Sequence, residues 1–501
     1  MLEGTSYNLN VPAENNHRAG IHAGSLRQGE PASWVRLCVI AVLVAFAALT
    51  IMGIAQTFTP VPRADDWDGN LDFFADVAAG HWQAWFGQFA EHRIILPRLF
   101  YWIDIKFFNG HFLFQLISGL AFAIAIWITF LFVARTLIKD RATRFMTGAT
   151  VTLLLSSWLQ IPNFGIAFNG IQWFMVTFFV LATFVATATA KRRHYAFYMA
   201  IFCGLAAAGT LSNGIVALPL AAVLAYLIGL GIVRAAVLLV LGCAVVVAYF
   251  TGYVRPEIHG SPLAALYDPI GIVQYSLTYL GNVAFYVVFV ALAGADLALK
   301  MLAQERSLSL DKFNDHPVAF LAGLTAAEIA GAALIILTVV LAWRWLRSDR
   351  DPLRGALLIF VIFGCGTAFG TSLGRLSAFG IEQSIAARYT TTTLTALAAL
   401  VVLTAPYLSV RQAAVLFVTS AILLVPRQLT ALRSREAEHV TFQKAMQAVI
   451  EHRDTDEDRA ILYPGQPEIV DRVANRLRAM QPQWRWDPRW YSSNLRSIGG
   501  P

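Results

Sequence analysis

The sequence predicts an all-α, polytopic helical membrane protein. Of its 501 residues, 57% are hydrophobic and only 14% are charged, whereas a soluble globular protein carries roughly 25% charged residues. The mean hydropathy is +0.58. The apolar residues collect in runs that are long enough to cross a bilayer as helices. These three observations together indicate a chain that spends most of its length inside a membrane.

Basic loops set the predicted topology, because short loops rich in Lys and Arg stay in the cytoplasm. Such clusters lie around residues 135–144, 191–193, 234 and 344–354. They also account for the net charge of +7. No soluble module with interleaved basic and aromatic residues is present, so no nucleic-acid partner is expected. About eleven spans are predicted, at residues 34–56, 111–133, 145–159, 171–190, two within 195–232, 235–250, 318–341, 356–373, 389–405 and 413–425.

The two ends of the chain are predicted to differ. Residues 1–33 are polar and rich in Gly, Asn and Ser, which predicts a disordered cytoplasmic tail. The first apolar run is longer than the core of a secretory signal, so we interpret it as an uncleaved anchor. It starts the predicted membrane domain, which covers residues 34–426. Residues 427–501 are predicted to form a small soluble domain on the outer side, and residues 57–110 the first outer loop.

The region 251–317 does not fit a simple count of spans. Residues 271–295 are apolar enough to cross, but a crossing here would place the arginines of residues 344–354 outside. We therefore predict interfacial or re-entrant helices in this region. Such backbone is tolerated where protein or a watery cavity covers it.

Acidic residues directly follow the first predicted span, in the stretch Asp65-Asp66-Trp67-Asp68. Ionisable groups at a membrane face are costly, so they are functional candidates by default. A carboxylate there can act as a general base toward a hydroxyl group. Asp65 and Asp66 are therefore the predicted catalytic residues. The alternative is that these acids cap a helix starting near Leu71, a role for which Asp68 is best placed.

Three arginines of the outer loops are predicted to bind phosphate: Arg93, Arg375 and Arg388. The last two stand at opposite ends of one short polar loop, where they could converge on one phosphate. The alternative is that Arg388 snorkels at the start of a span. Predicted contacts for a sugar or an acceptor are Glu91, His92, Asn163, Gln172, Glu382, Gln383 and Tyr389. Weaker candidates are Arg255, Glu257, His259 and Asp268.

No metal site or cofactor is predicted. His92 has no second His or Cys at ligand spacing nearby. The four cysteines all fall within apolar runs, where they are predicted to be small core residues and not a disulfide framework. They are Cys38, Cys203, Cys243 and Cys365.

Taken in order, these motifs resemble the GT-C superfamily of polyprenyl-phosphate-sugar glycosyltransferases, which includes the protein O-mannosyltransferases and the lipid A aminoarabinose transferases. The pattern is an acidic pair after the first span, an interfacial helix, a charged residue before a proline, and an amphipathic segment that ends in a glycine turn. The sequence departs from the mannosyltransferases at Glu91-His92-Arg93, where they have a Lys-Pro-Pro-like run. The residues that carry the resemblance are Asp65-Asp66, Trp82, Trp85, Glu91-His92-Arg93, Pro97, Tyr101-Trp102 and Gly110, with Asn163-Phe164, Gln172-Trp173, Tyr279-Leu280-Gly281, Gly374-Arg375, Gly380, Gln383 and Arg388-Tyr389 matching poorly characterised bacterial members.

The resemblance implies an enzyme of the bacterial cytoplasmic (inner) membrane with its site facing the periplasm or the outside. It would move a sugar from a polyprenyl-phosphate-linked donor to a surface glycan or lipid acceptor. One alternative is an O-antigen polymerase or ligase, which moves whole oligosaccharides. The other is a lipid or polysaccharide flippase or transporter, which predicts charges deep in the spans and an internal repeat. We find no such repeat in the sequence.

Overall fold

The computed structural model describes residues 33–256, 260, 267–294 and 316–480. In these residues the chain is helical and forms no β-strand. The predicted tail, up to residue 32, and the Trp-rich end beyond residue 480 lie outside them. In chain order the α-helices are α1 (Ser33–Thr57), α2 (Phe73–Ala78), α3 (Ile95–Phe108), α4 (Leu113–Leu137), α5 (Arg141–Leu155), α6 (Ile161–Gly165), α7 (Ala167–Thr189), α8 (Tyr195–Ala208), α9 (Ala217–Leu227), α10 (Ile232–Phe250), α11 (Pro269–Leu280), α12 (Asn282–Ala293), α13 (Pro317–Leu346), α14 (Pro352–Phe379), α15 (Thr390–Thr404), α16 (Val410–Leu429), α17 (Glu436–Ile450), α18 (Asp456–Leu462) and α19 (Pro467–Ala479).

Eight of these helices are long and apolar enough to cross a membrane. The protein is therefore an all-α, multi-pass membrane protein. Three of the predicted spans form shorter helices: α5, α8 and α9 have 15, 14 and 11 residues. A 15-residue helix is only about 22 Å long, against a hydrocarbon core of about 30 Å. The count of eleven spans consequently stays a prediction. The eight helices are α1, α4, α7, α10, α13, α14, α15 and α16, with the last two counted together with the short turns at their ends.

The loops with clustered basic residues meet at one end of the bundle, which we call the basic end. The Lys191 ammonium donates to the carbonyl of Ile228 at 3.0 Å. Arg350 reaches the carbonyl of Leu227 at 3.4 Å, and Arg354 reaches the Tyr407 hydroxyl at 3.2 Å. The loops that follow α7, α9, α13 and α15 are thereby brought together at this end.

Helices α11 and α12 form a bent pair with an angle of 74° between them. Around the bend, Gly281 packs so closely on α13 that a Cβ atom there would lie 1.9 Å from the carbonyl oxygen of Ala327. Phe285, one turn later, packs against Gly323, which lies nearer the start of α13. Helix α12 therefore runs antiparallel to α13, away from the bend. Leu277, near the end of α11, packs against Gly331 of α13, so α11 and α12 run along α13 in the same direction. Because a bent spanning helix accounts for this pair as well as a re-entrant loop does, the predicted interfacial or re-entrant helices stay a prediction.

The opposite end of the bundle is covered by helices α17–α19, so we call it the capped end. These helices share a hydrophobic core with residues 61–75, which follow α1. Trp67 is fully buried in this core, and its indole N–H donates to the carbonyl of Pro62 at 3.1 Å. The N–H of Ala64 donates to the carbonyl of Leu462 at 2.7 Å. Burial of each large apolar side chain contributes about 1.5–3 kcal/mol to the free energy of unfolding. The shared core therefore holds the acidic segment in one position against the cap.

Candidate active site

The acidic segment continues into a π-helical turn over Trp67–Asp72. Single π-turns are rare and frequently lie at functional sites. The turn places alternate carboxylates in different surroundings: Asp66 faces the membrane region, whereas Asp65 and Asp68 face the cap. Helix capping does not explain these acids, because Asp66 precedes the turn without capping it through its side chain.

Asp66 is the most buried of these acids, with 5% of its surface exposed. One carboxylate oxygen, Oδ2, accepts the N–H of Arg63 at 3.0 Å, and the other, Oδ1, is buried without a hydrogen-bond partner. Burial raises the pKa of Asp66 to about 7, against the smaller lowering effects of the Arg63 N–H and charge. A carboxyl group whose pKa is near neutral is matched to proton transfer at physiological pH.

Asp65 and Asp68 share one hydroxyl group from the cap. The Tyr463 hydroxyl lies 3.3 Å from Asp65 Oδ1 and 3.1 Å from Asp68 Oδ2. Burial raises the pKa of Asp68 to about 6, while the Tyr463 hydroxyl and the N–H of Gly69 lower it. Tyr463 has a single proton to donate, so its hydroxyl can donate to only one of these two carboxylates at a time.

Ion pairs fix the cap on the same segment one turn later. Arg476 contacts both Asp72 and Asp76, and Arg472 reaches Asp72 at 3.2 Å. Sequence reasoning missed these contacts because the partners are about 400 residues apart. Periodicity within a helix carries no information about such distant pairs.

Two side chains of α3, Tyr101 and Arg98, lie near the acidic segment and Phe73, which follows the π-turn. Tyr101 is fully buried, and burial, together with the negative charge of Asp66, raises its pKa well above the usual value. Arg98 is 5% exposed, and burial lowers its pKa to about 10. It donates to the carbonyls of Trp85 and Gly87, at 3.2 and 2.6 Å, but its Nε has no partner. We did not predict a role for Arg98, although an arginine within an amphipathic, aromatic helix was a usable signal.

Asp104, also on α3, has a structural role. Its carboxylate accepts the N–H groups of Phe112 and Phe114 at 2.9 and 3.2 Å, and the Gln115 amide at 3.2 Å. The N–H groups at the start of a helix lack partners within the helix. Asp104 therefore supplies hydrogen-bond acceptors for N–H groups at the start of α4.

The residues Glu91-His92-Arg93 separate into two roles. Glu91 forms an ion pair with Arg375 and lies 3.5 Å from His92 Nε2. His92 Nδ1 accepts the N–H of Ser212 at 3.3 Å and lies 2.9 Å from its hydroxyl. Because Nδ1 is the acceptor, the proton of neutral His92 sits on Nε2, toward Glu91.

Arg93 departs from the role predicted for it. Its guanidinium donates to the backbone carbonyls of Phe86, Tyr249 and Thr251 at 2.6–2.8 Å. These bonds tie the first loop to the end of α10. Because three of its donors are engaged with backbone carbonyls, the structure weakens the prediction that Arg93 binds phosphate.

Arg375 and Arg388 are brought to one pair of tyrosines. The charges of both guanidiniums act on the hydroxyl groups of Tyr275 and Tyr389. The Tyr275 hydroxyl is buried without a hydrogen-bond partner, whereas Gln383 and Arg388 interact with the Tyr389 hydroxyl. Tyr279 stacks on Tyr389, with ring centroids 4.7 Å apart. The result is a cationic cluster with a spare hydroxyl donor at Tyr275, which suits an anionic ligand with several oxygens.

The other predicted contacts surround this cluster. The Asn163 amide donates to the carbonyl of Arg388 at 2.8 Å and to the Thr391 hydroxyl at 2.7 Å. Asn163 therefore holds the backbone of Arg388 in position. Glu382 and Gln383 lie half-buried in the 3-10 turn Ile381–Ile385, between the two arginines.

Two of the weaker candidates, Arg255 and Asp268, lie within the described residues. Arg255 is exposed. The Asp268 carboxylate caps α11 by accepting the N–H of Gly271 at 2.8 Å. Glu257 and His259 lie outside the described residues.

Two successive residues of α7 join the acidic and the cationic clusters. The Gln172 amide donates to the Tyr101 hydroxyl at 2.8 Å, beside Asp66. Trp173 packs edge-on against Tyr389, with ring centroids 5.7 Å apart. Tyr101, whose hydroxyl lies near Asp66, and Tyr389, which lies near the arginines, are therefore contacted by neighbouring residues of one helix. This arrangement could place a proton acceptor and a phosphate site around one substrate.

The surroundings offer no evident metal site. Among the residues that the structure describes, no three His, Cys, Asp or Glu side chains are grouped so that they could hold a metal ion.

Comparison with known proteins adds no family to this picture. No protein-family model matches the sequence, and neither the curated proteins nor the solved structures contain a match.

Proposed function

We propose that this protein is a membrane glycosyltransferase of the GT-C type. It would move a sugar from a polyprenyl-phosphate-linked donor to a surface glycan or lipid acceptor, on the outer face of the bacterial cytoplasmic membrane. The observation that carries the proposal is that a buried carboxyl of near-neutral pKa, Asp66, and the Arg375–Arg388 cluster are connected through Gln172 and Trp173 of α7.

In the proposed reaction, the acceptor hydroxyl attacks the anomeric carbon of the donor sugar. A bond forms between that carbon and the acceptor oxygen, while the bond to the phosphate oxygen breaks. The Asp66 carboxylate takes the hydroxyl proton. The electron pair of the broken bond leaves with the lipid phosphate, whose charge Arg375 and Arg388 stabilise.

The surrounding residues have supporting roles in this proposal. Glu91 holds the Arg375 guanidinium, and Asn163 holds the backbone at Arg388. Tyr463 and the cap keep Asp65 and Asp68 beside the base. Gln383 and Glu382 lie between the arginines, where they could contact the sugar. The polyprenyl chain would lie along the apolar surfaces of the spanning helices.

One observation favours the transporter alternative. Glu328 lies in α13, eleven residues after Pro317, and so about 16 Å from the start of the helix. A carboxyl group within a spanning helix is typical of transport pathways. Transport would depend on Glu328, whereas glycosyl transfer depends on Asp66.

The experiment compares lipid extracts and surface glycans, by mass spectrometry, from cells that carry wild type, Asp66→Asn or Glu328→Gln. Loss of one glycan decoration in D66N, with accumulation of a polyprenyl-phosphate monosaccharide, supports the transferase. Accumulation of lipid-linked oligosaccharides would favour a polymerase or ligase. Loss of the glycan decoration in E328Q, with the glycans and lipids of D66N unchanged, would overturn the proposal in favour of transport.

Asp351→Asn is the matched control. Asp351 caps α14 with its side chain, on the N–H of Arg354 at 2.9 Å. Asparagine caps helices about as well as aspartate, so D351N removes a carboxylate at the basic end without loss of the cap. Its lipid and glycan pools should match those of wild type at equal protein level.

A further inference from the structure

One cation at the capped end has no part in the proposed reaction. Arg427 lies in the last turn of α16 and is 3% exposed. All three nitrogen atoms of its guanidinium are buried without a hydrogen-bond partner. An arginine has five N–H donors and cannot lose its proton in a protein, so a buried arginine without an acceptor is strongly destabilising.

The surroundings of Arg427 add positive charge and not a compensating acid. The charge of Arg435 acts on it from the segment that joins α16 to α17, and also on His439. Arg435 is 90% buried at its side chain and contacts Glu438 at 3.3 Å. The nearby Tyr286 hydroxyl is engaged in donating to the carbonyl of Ile385. Among the described residues, the groups that act on the charge of Arg427 are Tyr286 and Arg435, and neither is an acid.

We propose that Arg427 and Arg435 form a second anion site, which takes a phosphate group. Guanidinium groups match the geometry of phosphate oxygens and bind them in a bidentate manner. The last turn of a spanning helix lies at the depth where lipid phosphates are found. The phosphate could belong to a membrane lipid or be free in solution, because the chemistry of recognition is the same.

This site is distinct from the cationic cluster of the proposed reaction. Arg375 contacts Glu91, and its charge acts on Tyr275 and Tyr389. None of these residues is among the groups that act on Arg427. Binding at Arg427 therefore does not depend on the proposed transferase activity, and either proposal can fail alone.

The test measures thermal unfolding of the full-length, delipidated protein in an uncharged detergent. The probes are inorganic phosphate, phosphatidylglycerol and the phosphate-free lipid diacylglycerol, with chloride used to match ionic strength. A bound phosphate should raise the melting temperature of wild type by on the order of a few degrees. Arg427→Met should lose that rise, with an affinity at least about tenfold weaker. Without ligand, R427M should melt no lower than wild type, since methionine removes the unpaired charge.

Arg411→Met is the matched control, because Arg411 is an exposed arginine at the other end of the same helix. It should keep the full rise. A rise with phosphatidylglycerol alone identifies a lipid headgroup, and a rise with inorganic phosphate identifies free phosphate.

Two results would overturn the proposal. One is a wild type that responds to neither phosphate probe, or equally to diacylglycerol. The other is a rise that persists in R427M. If R427M does not fold, Arg435→Gln provides the same test, and a full rise in R435Q would then overturn the proposed pair.

Discussion

The two ends of the helix bundle use arginine in opposite ways. At the basic end, Arg347 and Arg344 lie over the rings of Trp343 and Tyr407, with the guanidinium carbon 3.9 and 4.4 Å from the ring centroids. At the capped end, Arg98 and Arg375 are largely buried, and Arg375 contacts Glu91, 284 positions away. Exposed cations on aromatic rings mark the depth of a helix in the membrane. Buried cations are costly, and a costly arrangement calls for a functional explanation.

The largest effect that would sharpen this comparison is on proton transfer by Asp66. With a pKa of about 7, transfer should rise about tenfold per pH unit below pH 7 and level off above it. Asp66→Asn should lower the rate by about 10²–10⁴-fold. The measurement is transfer by purified protein between pH 5 and 9. A wild-type rate that is independent of pH in this range would exclude Asp66 as the base.

The same group links pH to stability, and the sign can be worked out. The folded pKa of Asp66 lies above the usual value of 3.8, so between about pH 4 and pH 7 the folded state binds the extra proton. Its contribution to the free energy of unfolding is complete below pH 4 and is lost as the pH rises through 7. In D66N this fall should be smaller, as measured by thermal unfolding across the same range.

The next largest effect concerns the pair of Glu91 and Arg375, whose side chains are 21% and 17% exposed. Glu91→Gln removes one partner and leaves a poorly solvated guanidinium, so the free energy of unfolding should fall by about 2–4 kcal/mol. The exposed pair of Glu451 and Arg453 gives the control. Glu451→Gln should not measurably change the melting temperature. Equal losses in the two variants would contradict a special role for buried charge.

A smaller effect is expected for Tyr463→Phe, which removes the hydroxyl group between Asp65 and Asp68. The pKa of Asp68 should rise above about 6, because the Tyr463 hydroxyl lowers it. The free energy of unfolding should fall by about 1 kcal/mol at pH 8, where both carboxylates are charged, and by less at pH 5. Tyr226→Phe, at an exposed tyrosine of α9, should have the wild-type free energy of unfolding at both pH 5 and pH 8. A loss that is larger at pH 5 would refute this account.

The smallest effect is predicted at the basic end. Arg347→Gln removes an exposed cation from the ring of Trp343 and should cost less than about 1 kcal/mol. Arg98→Gln, which removes donors from the carbonyls of Trp85 and Gly87, should cost about 1–3 kcal/mol. Thermal unfolding of both variants measures this difference directly. If R347Q proved the more destabilising, the contrast between the two ends would be wrong.

Local patterns in the sequence predicted more of the fold than of the site. The apolar runs predicted a helical membrane protein, and that prediction is confirmed. The acids after α1 and the arginines at 375 and 388 were predicted as a site, and the structure connects them through Gln172 and Trp173. Their chemical roles stay predictions.

What the sequence could not predict depends on contacts between distant segments. Glu91 pairs with Arg375, 284 positions away. Nothing in the order of residues around Tyr463 indicated that its hydroxyl would reach Asp65. Such pairs depend on how the helices pack. Helical periodicity, in contrast, reports only which face of one helix is apolar.

The cap has a consequence for the order in which this protein is made. Tyr463 follows its partner Asp65 by 398 positions, so at about 5–20 residues per second a ribosome needs roughly 20–80 s to synthesise the chain between them. During that interval the segment after α1 is already made, but the helices that bury Trp67 and pair with Asp72 do not yet exist. The proposed active site is therefore among the last parts of the molecule to assemble, and the enzyme would emerge inactive until its late helices dock.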